Sequence, residues 1–183
     1  MLSVLWSARA YAAPPAERPE PFQLMLTAAG GDGLRFNNPF RLATPLGASA
    51  ESVSRTASFV DLGAAVTFGA PGGLEHGAAL RITIAAEGVP QSVVAPSYLA
   101  WWRARPGVAL YGRLAVPLVV TPSVTWGLEA GAGTVWFARA GLGLSFEVVG
   151  DVFYGAATQE VRAAAYPVVS GQLGVVIAYE VLR

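Results

Sequence analysis

Through most of this chain large apolar side chains recur at every second position, and what stands between them is small. From Ala140 to Tyr154, Leu142, Leu144, Phe146 and Val148 share one face while Gly143, Ser145 and Glu147 share the other. From Ser170 to Leu182, Leu173, Val175, Ile177, Tyr179 and Val181 oppose Gln172, Gly174, Ala178 and Glu180. A period of two is that of a β-strand. Alternation alone also suits a soluble sandwich, so the make-up of the second face has to decide. It is Gly, Ala and Ser around isolated charges, which fits the crowded inside of a narrow closed barrel with the aliphatic residues turned out to lipid.

Six further segments carry the same signal: Phe22 to Ala29, Ser58 to Phe68, Ala78 to Ala86, Ser97 to Ala104, Val108 to Val119 and Val124 to Ala132. In the fourth strand Trp101 and Trp102 point opposite ways and Arg103 faces inward. In the fifth, Pro117 predicts a bulge or an early end, because proline gives no N–H to a ladder. The eight segments predict an all-β fold, an eight-stranded antiparallel up-and-down transmembrane β-barrel. An even strand count puts both ends of the barrel domain on the periplasmic side. The connections 70–77, 105–107 and roughly 133–139 then face the periplasm. Those at 30–56, 87–96 and 156–168, with the one after the fifth strand, face outward.

Composition supports a membrane setting. Of the 183 residues 54% are hydrophobic and only 13% charged, with a mean hydropathy of +0.47, whereas about a quarter of a soluble domain is charged. Gly, Pro, Arg or Glu interrupts every apolar run before it reaches the length of a spanning helix. The remaining way to satisfy the backbone in lipid is a closed barrel. The formal charge is zero, so no basic surplus points to nucleic acid. With no Cys, a disulfide framework and a thiolate metal site are excluded. At the start, Ala10-Tyr11-Ala12 has the form of a signal-peptidase site. Residues 1–12 therefore read as a shortened signal peptide, 13–21 as a Pro-rich periplasmic linker and 22–183 as the barrel domain.

A set of charges falls at mid-strand positions on the small-residue face: Asp61, Arg81, Arg103, Arg113, Glu129, Glu147 and Glu180. Facing lipid, each would be costly near the midplane, an Arg by about 2–4 kcal/mol and a carboxylate by less; facing a narrow lumen, they pair, and the planar fork of Arg bridges two carboxylates. In this the chain resembles the small eight-stranded outer-membrane barrels typified by the OmpA membrane domain and OmpX. The resemblance runs over residues 22–182 as a pattern. It implies a lumen interlocked by Arg and Glu, with no wide pore, in the bacterial outer membrane. The chain departs from that group in ending Leu182-Arg183, where such barrels carry an aromatic residue.

Other candidates carry less. His76, the one histidine, falls in a periplasmic turn, the wrong face for a lipid-modifying His–Ser pair, and with adjacent Glu75 makes a poor metal site. Arg35, Phe36, Phe40 and Arg41 bracket an Asn-Pro turn in the first outer loop and are candidates for contact with a glycan or lipopolysaccharide. Tyr98, Trp101, Trp102, Trp126, Trp136, Phe137, Phe153 and Tyr154 lie near strand ends, as interfacial girdles do. The expected role is structural or surface interaction, the outer loops contacting the exterior. The alternatives are a narrow channel or carrier, with a lateral opening near Pro117, and a lipid-modifying enzyme. Neither a catalytic residue, a metal ligand set nor a cofactor is predicted. The partners expected are outer-membrane lipid and lipopolysaccharide or an extracellular ligand, for a monomer that binds no nucleic acid. A soluble lipocalin-like barrel, apolar face inward, is the rival outside the membrane.

Overall fold

The computed structural model describes residues 22–36, 53–69, 73–105, 107–154 and 165–181. Residues 1–21, with the expected leader and linker, and Phe40 and Arg41 of the expected outer-loop contact lie outside this set. Among the described residues every regular element is a strand. In chain order these are β1 (Phe22–Arg35), β2 (Ser54–Arg55), β3 (Phe59–Phe68), β4 (Leu74–Ala85), β5 (Ser92–Arg105), β6 (Val108–Ala115), β7 (Leu118–Thr121), β8 (Thr125–Arg139), β9 (Leu142–Tyr154) and β10 (Ala165–Val181). Neighbours pair in the order β10-β9-β8-β6-β5-β4-β3-β1, and β10 pairs back onto β1. The result is a closed antiparallel barrel of 8 strands. Closure removes the sheet edges that would otherwise need partners.

β6 and β7 are one strand interrupted. β5 meets Ala115 through Ser97 and Leu118 through Val94 in a single unbroken register, and β8 does the same through Glu129 and Trp126. Only Val116 and Pro117 interrupt the strand, keeping one ladder bond each where the proline ring denies the other, at the position where proline predicts a break.

The direction of the side chains settles which solvent the barrel faces. Leu144, Phe146, Val175 and Ile177 are 42–54% exposed on the outside, while Glu147 and Gln172, their neighbours in sequence, are buried. A soluble lipocalin-like barrel requires the reverse. Leu24, Leu62, Leu80, Leu114 and Leu128 extend the outward apolar face around the remaining strands. A continuous apolar belt of this size is stable against lipid and not against water. Trp126 and Tyr154, their rings 5.1 Å apart, stand on the outer end of the belt. Phe22 and Phe68, at 6.0 Å, stand at the end that carries the chain termini.

Several strands run further than their apolar pattern predicts. β1 continues through Gly30-Gly31-Asp32-Gly33, paired residue for residue with β10 as far as Arg35. β8 continues through 133–139, where a turn was expected, and the turn is at Ala140-Gly141. β4 begins at Leu74 and β5 at Ser92, inside segments read as connections. In each case the neighbouring strand offers hydrogen bonds that the segment accepts without a clean alternation of its own: 30–33 is mostly glycine, and Val135, Trp136 and Phe137 are apolar in succession. The short connections, such as 140–141, share one end with the chain termini. β1 and β9 end, and β2 and β10 begin, at the other end, the outer one.

Candidate functional site: the layered lumen

Inward-facing positions fill the barrel in layers. At mid-height, Arg81 on β4 donates from Nε to Asp61 Oδ1 at 3.0 Å and from Nη2 to Asp61 Oδ2 at 2.5 Å. It reaches Glu129 Oε1 on β8 through Nη1 at 2.7 Å. Arg113 on β6 approaches the same Glu129 oxygen at 2.9 Å and donates from Nε to Glu147 Oε1 on β9 at 3.0 Å. Tyr111 and Gln172 donate to the second Glu147 oxygen at 3.1 and 2.5 Å, and Thr83 donates to Asp61. One chain of hydrogen bonds and ion pairs thus ties β3, β4, β8, β6, β9 and β10, with the Arg113–Glu129 link an ion pair alone. All five ionic groups are 9% exposed or less. Burial makes such bonds strong and makes each of them costly to break.

Strand parity brings these side chains inward, and glycine leaves room for them. A Cβ at Gly131 would overlap Glu147 Oε1 and come within 3.2 Å of Arg113 Nη2. At Gly63 it would overlap Thr27 Oγ1 and press on the Arg81 stem.

Below the ion layer the filling is apolar. Met25, Leu99, Trp101, Val135 and Val176 pack with Tyr111 and Phe137, and Trp101 stacks on Tyr111 at 5.6 Å. Nearer the termini a second polar layer forms. Thr67 donates to Glu75 at 2.8 Å, and Arg103 pairs with Glu180 and lies 3.7 Å from Glu75. Above the ion layer is a cavity of about 350 Å³, floored by Arg81, Glu129 and Asp151 and flanked by Arg35 and Arg55 at the outer end. A second cavity, of about 60 Å³, lies on the other side of Arg81. Over the outer rim, Arg55 pairs with Asp32 and Glu87, and Ser58 donates to Glu87 from both its amide and its hydroxyl. Those two donors and Arg55 hold the Glu87 carboxyl below its usual range.

The seven charges singled out in the sequence fall into two groups. Asp61, Arg81, Arg113, Glu129 and Glu147 make the mid-barrel layer; Arg103 and Glu180 join Glu75 near the termini, with the Glu180 side chain still half exposed. Asp151, Glu75 and Gln172 were missed as members, although Asp151 has the parity of Glu147 and Glu75 that of Arg81.

Three expectations are corrected. His76 lies in β4 and not in a turn: it faces outward, Nδ1 hydrogen-bonded with the Tyr98 hydroxyl. Glu75 faces inward, so the two cannot share an ion. Arg35 ends β1 instead of lying in a loop, its guanidinium 4.9 Å from the centre of the Tyr166 ring. Trp101, Phe137 and Phe153 are lumen residues, Phe153 stacking on Tyr166 at 5.7 Å, and do not belong to a girdle. Strand position along the axis is similar for both faces; parity alone separates them.

No family model and no curated protein matches the chain in sequence. Among solved structures it is similar to Neisserial surface protein A, at a TM-score of 0.51 and 10% identity over 84% of this chain and 96% of that one. It is also similar to Ail, the attachment invasion locus protein of Yersinia pestis, at 0.49 and 11% over 85% and 98%. A de novo designed transmembrane β-barrel scores 0.48 at 11% identity over 86% and 95%. The fold is that of the small eight-stranded outer-membrane barrels. At such identities the likeness carries the fold and no role. For an outer-membrane barrel, an apolar exterior and a filled, polar interior are the two surfaces the architecture requires.

Proposed function

We propose that this outer-membrane barrel is a closed, non-enzymatic surface protein, whose lumen is plugged and whose outer end makes contacts with the exterior. The observation that carries this reading is the ion layer. Arg81 and Arg113 link carboxylates from both sides of the lumen, with an aromatic layer directly beneath. Water or solute would have to displace buried ion pairs to pass, and breaking such a pair costs about 3–5 kcal/mol. Lipid is the solvent of the outer face. Lipopolysaccharide or another extracellular ligand is the proposed partner at the outer end, where Phe36 is exposed, and nucleic acid is not a partner. The protein acts as a monomer. The test is conductance in planar bilayers: the purified barrel gives no regular single-channel steps, and reproducible steps from the unaltered protein would sink the proposal.

A carrier is the second reading, favoured by two prolines. Val116 donates to the Pro96 carbonyl at 3.2 Å, and Gly127 to that of Pro117 at 3.0 Å. Proline has no N–H with which to return either bond. Both seams of the interrupted strand therefore lose a donor at the height of the outer cavity, which Pro117 lines, and a small hydrophobic solute could leave there sideways into lipid. A disulfide engineered between Val94 and Leu118, which are paired in register, closes that seam. Solute uptake into vesicles should then stop; uptake that continues unchanged removes the lateral route.

A further inference from the structure

We infer that the outer cavity is a binding site for a small organic cation, with Asp151 as its counter-ion. The inference begins with unequal charge. In the mid-barrel layer Arg81 and Arg113 are shared among Asp61, Glu129 and Glu147, and each of these three carboxylates has an Arg partner. Asp151 has no Arg at ion-pair distance among the described residues, and its side-chain hydrogen bond is to Glu129. It is 9% exposed, it lines the cavity, and its partner across the β8–β9 ladder is Glu129, another inward-facing acid. Two buried carboxylates face to face cannot both stay ionised without a counter-charge.

Of the other cations around the cavity, two are held by carboxylates and the third, Arg35 at the outer end, is held only by a ring, its Nε without a hydrogen-bond partner. Arg81 is held by Asp61 and Glu129. Arg55 is held by Asp32 and Glu87 at the rim. Arg35 lies over the Tyr166 ring. A charge is therefore wanted at the floor of a space that opens outward.

The space and its walls say what kind of cation. About 350 Å³ is near the lower end of the volumes that hold small organic ligands, about 300–1,000 Å³. Phe59 and Phe153 line it with Val93 and Val149. Aromatic faces attract a desolvated ammonium, and aliphatic walls suit an apolar body. A hydrated metal ion gains nothing from such walls, and no group of ligands able to hold one occurs among the described residues. The ligand class is therefore a monovalent ammonium on a compact apolar body, its charge at Asp151 and its body between the two Phe rings.

The probe is benzylammonium, titrated by calorimetry into the folded full-length barrel in detergent micelles, beside benzyl alcohol and phenylacetate. Micelles without protein are titrated as the blank, to remove partition into detergent. Saturable binding of benzylammonium alone is expected. Asp151→Asn should weaken it by about tenfold or more, the loss of one hydrogen bond to a charged group. Heat-modifiable migration on a gel checks that the variant folds. If benzyl alcohol or phenylacetate binds as well as the amine, charge is not what the cavity recognises and the inference fails, whatever the variant does. If benzylammonium does not bind, a proton held between Asp151 and Glu129 suffices as counter-charge, and the inference fails again. Binding that survives Asp151→Asn unchanged overturns the assignment of the counter-ion.

Discussion

Arg81 at mid-barrel and Arg55 at the outer rim make the same kind of contact, each guanidinium between two carboxylates. Arg81 has 9% of its side chain exposed and Arg55 has 64%. The first pair of contacts sits where water cannot replace either partner; the second sits where water and salt replace both at little cost. Geometry on paper is therefore a poor guide to energy, and burial a better one. The mid-barrel layer holds six strands together, whereas the rim pairs tether only the segment around β2 to its neighbours.

The comparison is broken most directly by removing Arg81. Arg81→Ala leaves Asp61 buried without its cation and Glu129 with Arg113 alone, and should cost about 3–5 kcal/mol. Urea unfolding of the barrel refolded in lipid vesicles reads it. A loss no larger than that of a surface variant would show the layer to be hydrated. Next comes Gly131→Ala, which alters no charge yet drives a methyl group into the Arg113–Glu147 pair. Overpacking of this kind costs about 1–3 kcal/mol, and the same assay should detect it, while an unchanged midpoint would mean that Glu147 has another place to go.

Arg55→Ala should leave the unfolding midpoint where it is. What the substitution does change, such as proteolysis of the rim segment, should fade as salt rises, since exposed pairs are screened. A large, salt-independent loss would erase the contrast with Arg81. The smallest effect concerns Glu87. A carboxyl whose pKa is lowered on folding stabilises the contact at pH above the ordinary carboxylate range, and the contribution goes as pH falls through the lowered value. The amide signal of Ser58, which donates to Glu87, should hold steady down to the usual glutamate range and shift only below it. A shift centred on the ordinary glutamate value would show that the rim contact does not form in solution.

How much of this was legible along the chain differs by feature. Leu142 to Val148 and Leu173 to Val181 show their strand, their outward face and their solvent by alternation and by the smallness of what alternates. Pro117 announced the interruption between β6 and β7. The strand end at Gly30–Arg35 was not legible because glycine pairs wherever a neighbour offers hydrogen bonds and leaves no apolar mark; that at 133–139 was not because Val135, Trp136 and Phe137 are apolar in succession and hide the alternation. Trp101, Phe137 and Phe153 were misplaced for a different reason. An aromatic residue near a strand end suits a girdle or a packed lumen equally, and one step of register decides which.

Parity, a property of consecutive residues, was enough to turn Asp61, Arg81, Arg113, Glu129 and Glu147 inward and the leucines outward, since period two follows from backbone geometry alone. Which carboxylate each arginine holds was decided by closure and register. Asp61 is twenty residues from Arg81 and on the adjacent strand, while Glu129 is forty-eight away and meets it only because the sheet curls shut. The same closure leaves Asp151 opposite an acid and without an arginine, and encloses the space above it.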